Sequence, residues 1–301
     1  MPAVVTPFDD NGAIDEAAFQ RNLELMMEDG ATGFIVGGCT GEFWALSKPE
    51  RTRIVEIAVK AVGDRATIIA GTSAIQKAEV IELTKAAQGV GAHGALVLPP
   101  FFVQLTDDEI FANYESISDA VTLPIMLYNI PQVATNVITP ELALRLSALD
   151  RIVAIKESAG NWNNFHKTAM AVRHTLRVFC GPSSVYGVPS IGAGADGFID
   201  CFPNVWSPGG LDLYYTAVRG ETDTANALQE LGIKMTTLFT SEGRSLYPAT
   251  KAAMEILGLP GGKPRAPLKT LTRDQYEGLR KGMMELGMMD APAKPGLRAS
   301  A

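Results

Sequence analysis

Ile152-Val153-Ala154-Ile155-Lys156-Glu157-Ser158 is a short run rich in apolar and β-branched residues that stops on charged and small polar ones, and the segment behind it carries Phe165, Ala169 and Val172. The run alternates as a strand does, placing Ile152, Ala154 and Lys156 on one face, whereas the following segment has the i, i+4, i+7 spacing of a helix with one buried stripe. Together they make one strand–helix unit. Seven comparable runs lie around it: Ala3–Val5, Gly33–Gly38, Thr67–Gly71, Gly94–Leu98, Pro124–Asn129, Arg177–Gly181 and Gly197–Cys201. The starts at 33, 67, 94, 124 and 152 are separated by 34, 27, 30 and 28 residues, about one unit each. Phe19/Leu23/Met26 and Ile54/Ala58/Ala61 repeat the helical spacing. Ser47-Lys48-Pro49-Glu50 and Thr106-Asp107-Asp108-Glu109 match a capping box, and Thr139-Pro140 puts proline at a first helical position.

Such an array predicts an α/β fold, a closed (β/α)8 TIM barrel over residues 1–220. Beyond the eighth run the pattern turns wholly helical, in Leu211–Val218, Thr224–Thr240, Leu246–Leu257 and Arg273–Leu286, so a C-terminal helical region is expected over 221–301. Its last stretch, Ala291–Ala301, lacks any period and reads as a frayed tail. The rival fold is an open, doubly wound sheet, for which Gly192-Ala193-Gly194-Ala195-Asp196-Gly197 supplies a GxGxxG match. A dinucleotide fingerprint follows a strand and opens a helix, but this one leaves a helix and enters a strand, so it reads as a loop of small residues.

Composition excludes several classes. A net charge of −7 without a Lys/Arg-rich run offers a phosphate backbone or an anionic membrane little attraction, so no nucleic-acid or membrane partner is expected. No apolar stretch approaches the roughly 18 residues of a membrane span, and the start Met-Pro-Ala-Val-Val-Thr-Pro lacks a basic export n-region. Cys39, Cys180 and Cys201 form no CxxC pair and are odd in number, against a disulfide framework. A cytoplasmic protein is expected. His93, His166 and His174 do not cluster with Cys or carboxylates at ligand spacing, so no metal site is expected.

In a barrel the C-terminal strand ends face the active site. Lys156 continues an inward apolar face, and an amine among Val, Ile and Ala loses the hydration that stabilises its ammonium, lowering its pKa and freeing it to attack a ketone. The competing reading is a solvated strand-end lysine paired with Glu157. Tyr128, which ends the neighbouring run, is either a proton-shuttling phenol or a buried tyrosine with a satisfied hydroxyl. Gly37-Gly38-Cys39-Thr40-Gly41-Glu42 follows the second run, and its glycines let backbone N–H groups turn toward a carboxylate. Cys39 reads as a small side chain rather than a reactive thiol, and Glu42 as a structural carboxylate bonding loop amides.

Taken together, GCTGE after the second run, YNIP after the fifth and KES at the sixth resemble the dihydrodipicolinate synthase / N-acetylneuraminate lyase family of pyruvate-dependent class I aldolases. PAVVTPF, LPPFF, GADGFI and Pro248…Lys251…Leu257-Gly258 extend the resemblance over nearly the whole chain. It implies a lyase with Lys156 as Schiff-base lysine and Tyr128 as proton-shuttling phenol, and Gly38, Cys39, Thr40, Gly181 and Ile199 around pyruvate. It also implies an aldehyde as second substrate, no external cofactor, and a homotetramer built as a dimer of dimers. Departures narrow the substrate. The arginine that grips the acceptor carboxylate in dihydrodipicolinate synthases is Val133 here, and their relay threonine and tyrosine are Cys39 and Phe102. The acidic pair of N-acetylneuraminate lyases is replaced by Gly181-Pro182-Ser183-Ser184.

Ser183, Ser184, Gln132 and Asp200 remain at the expected mouth, with Phe43, Trp44, Phe101, Phe102 and Phe202 near the strand ends. The reading that results is reversible aldol cleavage or condensation of a pyruvate-containing 2-oxo acid such as a 2-keto-3-deoxy acid. Its alternatives are a Schiff-base dehydratase or deaminase of a 3-deoxy-2-oxo acid, a true dihydrodipicolinate synthase, and a silent 2-oxo-acid sensor, the last disfavoured by retention of both Lys156 and Tyr128.

Overall fold

A computed structural model describes residues 1–289. Seven parallel strands run side by side in sequence order: β1 Gly33–Val36, β2 Thr67–Gly71, β3 Gly94–Val97, β4 Ile125–Asn129, β5 Ile152–Glu157, β6 Arg177–Cys180 and β7 Gly197–Phe198. The first apolar run does not form a regular strand, yet it closes the ring. Ala3 donates to Asp200 O at 2.8 Å, Ile35 donates to Pro2 O at 2.9 Å and Val4 to Ile35 O at 3.1 Å, joining β1 to the segment after β7. Pro2 and Pro7 lack the N–H needed to lengthen the ladder, and the Val5 amide goes to Asn204 Oδ1 at 3.2 Å. The barrel is therefore complete with seven regular strands and one short bridging segment.

Alternation along the strands divides the core into layers. Ala3, Ile35, Ile69, Leu96, Met126, Ala154 and Ile199 fill the interior. Phe34, Ile68, Val97, Leu127, Ile155 and Val178 point outward against helical Phe19, Leu23, Ile54, Ala58, Phe165 and Ala169. One strand departs from the expected alternation. The β4–β5 register slips between Ile125 and Met126, whose partners are Ile152 and Ala154. Val153 is the extra residue of this bulge and is left 43% exposed, while Ile152 joins the outer cluster. Ala154 and Lys156 thus face the interior, but Ile152 does not continue their face.

Helix starts follow local chemistry. Ser47/Glu50 and Thr106/Glu109 form complete capping boxes, and the Thr139 side chain accepts from the Leu142 amide ahead of helix Pro140–Leu146. The GxGxxG segment connects the end of helix Ser183–Gly192 to β7. His174 lies just past helix Trp162–Val172 rather than on it. Helices Gly209–Arg219, Thr222–Thr240, Leu246–Ile256 and Arg273–Glu285 complete the chain. A further cluster, including Val5, Cys201, Phe202, Met235, Phe239, Ala253, Leu279 and Met283, packs the last three of these against the first and last barrel segments. The expected tail Ala291–Ala301 lies outside the described residues.

Candidate active site

β4 and β5 lie in register so that Tyr128 pairs with Lys156 and Asn129 with Glu157. The first pair faces the barrel interior and the second faces outward. Lys156 Nζ sits 4.2 Å from the centroid of the Tyr128 ring, and the two residues are only 7% and 4% exposed. Burial lowers the Lys156 pKa, with Cys39, Asp200 and Cys201 acting in the opposite direction. Burial raises the Tyr128 phenol well above its ordinary value, reinforced by Cys39. A poorly solvated amine thus lies against a phenol that keeps its proton at neutral pH, an arrangement suited to carbonyl addition with local proton transfer.

Glu157 is not the partner of Lys156. Its carboxylate accepts from Asn129 Nδ2, from Asn164 Nδ2 at 3.1 Å and from the Ala159 amide at 2.7 Å. Burial pushes its pKa up to about 7 even though these three donors pull it down. Asn129 in turn donates to Ile138 O at 3.1 Å and accepts the Ile138 amide at 2.9 Å, fixing the chain beyond β4.

The Gly37–Glu42 turn lies at the same end of the barrel. Gly37 and Glu42 both have positive φ, 68° and 56°, which glycine adopts freely and glutamate does not. Glu42 does not bond the amides of its own loop. One oxygen accepts the Arg265 amide at 2.9 Å, and the other lies 2.5 Å from Lys251 Nζ, so its partners come from the C-terminal region. Sequence separation hid this pairing.

Cys39, Thr40, Tyr128, Lys156, Gly181 and Ile199 all line one cavity of about 170 Å³. That is smaller than the roughly 300–1,000 Å³ of drug-sized sites and suits a molecule of a few carbon atoms. Gly38 lies next to the cavity in sequence but outside its lining. Gly181 is required by space: a Cβ there would lie 2.7 Å from Ile199 O and 3.0 Å from Lys156 Cε. Gln132 and Asp200 also line the cavity. Ser183 Oγ donates to Asp200 Oδ2 at 3.2 Å and the Ser184 amide donates to the same oxygen at 2.7 Å, while Ser184 Oγ accepts from Thr236 Oγ1 at 3.3 Å.

The aromatic residues divide. Phe43 and Phe101 pack on the interior layer, Phe202 belongs to the C-terminal cluster, and Phe102 is 90% exposed. Ile130, Cys201, Leu246 and Tyr247 are among the lining residues that escaped sequence reasoning, and Tyr247, at the start of helix Leu246–Ile256, stacks obliquely near Trp44 with ring centroids 5.4 Å apart. Nothing in Ser245-Leu246-Tyr247-Pro248 distinguishes it from a helix-start residue of the appendix. Among the described residues no group of three His, Cys, Asp or Glu could hold a metal ion.

The Dihydrodipicolinate synthetase family model matches residues 1–286. The chain belongs to this family. Dihydrodipicolinate synthetase family members are pyruvate-dependent lyases of the class I aldolase type that use a Schiff-base lysine. The chain is 32% identical over 291 residues to a 4-hydroxy-tetrahydrodipicolinate synthase of Acidothermus cellulolyticus, covering 96% of this chain and 92% of the relative. It is also 32% identical to an uncharacterized DapA-like lyase of Rhizobium meliloti, covering 96% of both. Among solved structures, the chloride-inhibited dihydrodipicolinate synthase of Acinetobacter baumannii complexed with pyruvate superposes with a TM-score of 0.89 at 28% identity, covering 95% of this chain and 98% of that one.

Proposed function

We propose that this chain cleaves or forms a carbon–carbon bond to pyruvate through an imine on Lys156. The carrying observation is the buried Lys156 amine 4.2 Å from the Tyr128 ring, inside a small cavity. The neutral amine adds to the C2 carbonyl, and loss of water gives the iminium. Tyr128 transfers protons at the carbinolamine oxygen and at C3, while the amides of Cys39 and Thr40 receive the carboxylate, with Gly181 and Ile199 packing its far side. The iminium withdraws electrons from C3, so an enamine forms when the C3–C4 bond breaks and attacks an aldehyde in the reverse direction. The protein groups suffice for this chemistry without an external cofactor.

The acceptor side favours a short aldehyde over the substrate of dihydrodipicolinate synthases. Val133 is 64% exposed and offers no charge where those enzymes place an arginine. Gln132 lines the cavity while donating to Ser158 O at 2.8 Å, so it is held in place as a neutral polar group. Residues 1–220 serve as the catalytic barrel, and the helices beyond it, within 221–289, brace it. The family likeness supports a cytoplasmic homotetramer arranged as a dimer of dimers, and no described helix is long and apolar enough to cross a membrane.

Borohydride reduction in the presence of pyruvate tests the imine. A stable adduct on the peptide containing Lys156, absent from Lys156→Ala, is expected; an adduct that persists in Lys156→Ala would remove the assignment. Product analysis then separates bond cleavage, which yields pyruvate and an aldehyde, from loss of water or ammonia with the carbon chain intact.

A further inference from the structure

Among the residues lining the cavity, Lys156 is the one amine and Asp200 the one carboxylate, and they attract each other without sharing a hydrogen bond. The acceptor positions of Asp200 are taken by other donors. Its Oδ1 accepts the Cys201 amide at 2.7 Å and the Phe202 amide at 3.3 Å, while Oδ2 is held by Ser183 Oγ and the Ser184 amide. The Oδ2 side therefore depends on where the first turn of helix Ser183–Gly192 stands. That helix is broken at Tyr186, whose φ of −142° and ψ of 31° lie outside the helical region. Ser184 O and Val188 N, four residues apart, are a pair that an uninterrupted helix joins directly. Here the buried Gln229 of helix Thr222–Thr240 bridges them. Its Nε2 donates to Ser184 O at 2.7 Å and to Ser183 O at 3.1 Å, and its Oε1 accepts the Val188 amide at 2.8 Å. Two further residues on the same stripe of that helix meet Ser184: a Cβ on Gly232 would lie 2.6 Å from Ser184 O, and Thr236 bonds the Ser184 hydroxyl.

We infer that Gln229 is a positioning residue: by bridging the break in helix Ser183–Gly192 it keeps Asp200 bound to the first turn of that helix and off Lys156, leaving the amine unpaired for attack on a 2-oxo acid. This inference rests on the imine reading above. When the Gln229 amide is removed, Ser184 O and Val188 N are left to bond each other, the break closes, and the Ser184 amide is drawn away from Asp200. A buried carboxylate oxygen that loses its donors takes the nearest one that remains. In this cavity that donor is the Lys156 ammonium, and an ammonium held by a carboxylate has no lone pair to offer a carbonyl. The other titratable groups around the pair are the Met1 amino group, Cys39, Tyr128, Cys201 and Tyr247. Burial pushes the Met1 amine down to about 5 and raises Tyr128, Cys201 and Tyr247, so none of these four carries charge near neutral pH.

The test uses pyruvate as probe and the full-length enzyme. Adduct formation is stopped with borohydride at timed intervals, and its rate is followed against pH. Gln229→Met, which keeps the side-chain length and removes the amide, should move the rising limb about one pH unit toward alkali, the low end for an opposite charge brought into contact. At a fixed pH on the limb the adduct then forms about tenfold more slowly. In an Asp200→Asn background the same change should leave the limb where Asp200→Asn alone puts it, because no carboxylate remains to turn. Gln229→Asn, whose amide is drawn back by one methylene, should shift the limb in the same direction and decides the matter where Gln229→Met does not fold. A limb that stays in place in the folded variant, moves toward acid, or moves equally with and without Asp200 overturns the inference. A wild type that gives no adduct sinks the imine reading itself.

Discussion

Glu42 and Lys251 meet at 2.5 Å inside the protein, their side chains 0% and 2% exposed, one from the turn after β1 and the other from the C-terminal helix Leu246–Ile256. Lys251 also donates to Thr6 O at 2.8 Å and to Lys263 O at 3.0 Å, and its ammonium lies 4.3 Å from the Phe8 ring centroid. Burial lowers its pKa and Glu42 counters that. The pair fixes a left-handed glutamate at the end of the proposed carboxylate loop, so the helical region contributes to the geometry of a barrel site.

Removing one member leaves the other charged and unsolvated. Glu42→Gln or Lys251→Met should each lower unfolding free energy by about 3–5 kcal/mol, measured by urea denaturation. The double variant should lose less than the two single losses added together. Its KM for pyruvate should rise, because the loop is no longer pinned.

Lys156 lies under the opposite constraint, since its proposed role requires a site in which it is poorly solvated. Lys156→Met should abolish the pyruvate adduct and raise stability by about 1–3 kcal/mol, the cost of burying a polar group without full compensation. A loss of stability in this variant, seen by thermal unfolding, would mean that the amine is better accommodated than its surroundings indicate.

Glu157 gives a signed pH dependence. Its folded pKa of about 7 lies above the ordinary 4.5, so between these values the native state binds more protons than the unfolded state. Its contribution is fully present below about 4.5 and disappears as pH rises through about 7, a loss of up to about 3 kcal/mol. Unfolding free energy measured at pH 5 and pH 8 should show this fall in wild type, and Glu157→Gln should flatten it.

Asp200 acts in two directions. Helix Ser183–Gly192 begins at Pro182, which supplies no capping side chain, and Asp200 serves the Ser184 amide instead. Asp200→Ala should therefore lose about 0.5–2 kcal/mol. Asp200 also raises the Lys156 pKa. In Asp200→Asn the ammonium loses that support, the neutral amine appears at lower pH, and the rising limb of the adduct-formation rate should move toward acid.

The barrel was readable because each unit carries its own pattern: alternation in the runs, 3.6-residue spacing behind them, and Ser47 or Thr106 at helix starts. The placement of Lys156 and Tyr128 was readable for the same reason, as both sit at strand ends where alternation sets direction. The bulge at Val153 was not, because it depends on the register of β4 beside β5, and register is a property of two strands. Tyr247 and Lys251 were equally hidden. Both sit on helix Leu246–Ile256, and each meets the barrel end only because the C-terminal region folds back over it. Ser183 and Ser184 misled because their side chains are held by Asp200 and Thr236 respectively, both later in the chain.

The seam at Pro2 and Ala3 has a consequence for biosynthesis. Ile35 leaves the ribosome early and Asp200 late, and the bridging segment needs both. Until the second arrives, the growing polypeptide presents the open edge of the bridging segment beside β1 to its surroundings, and such an edge can pair with other chains. Shielding by a chaperone during that interval should matter more for the yield of this protein than for its stability once complete.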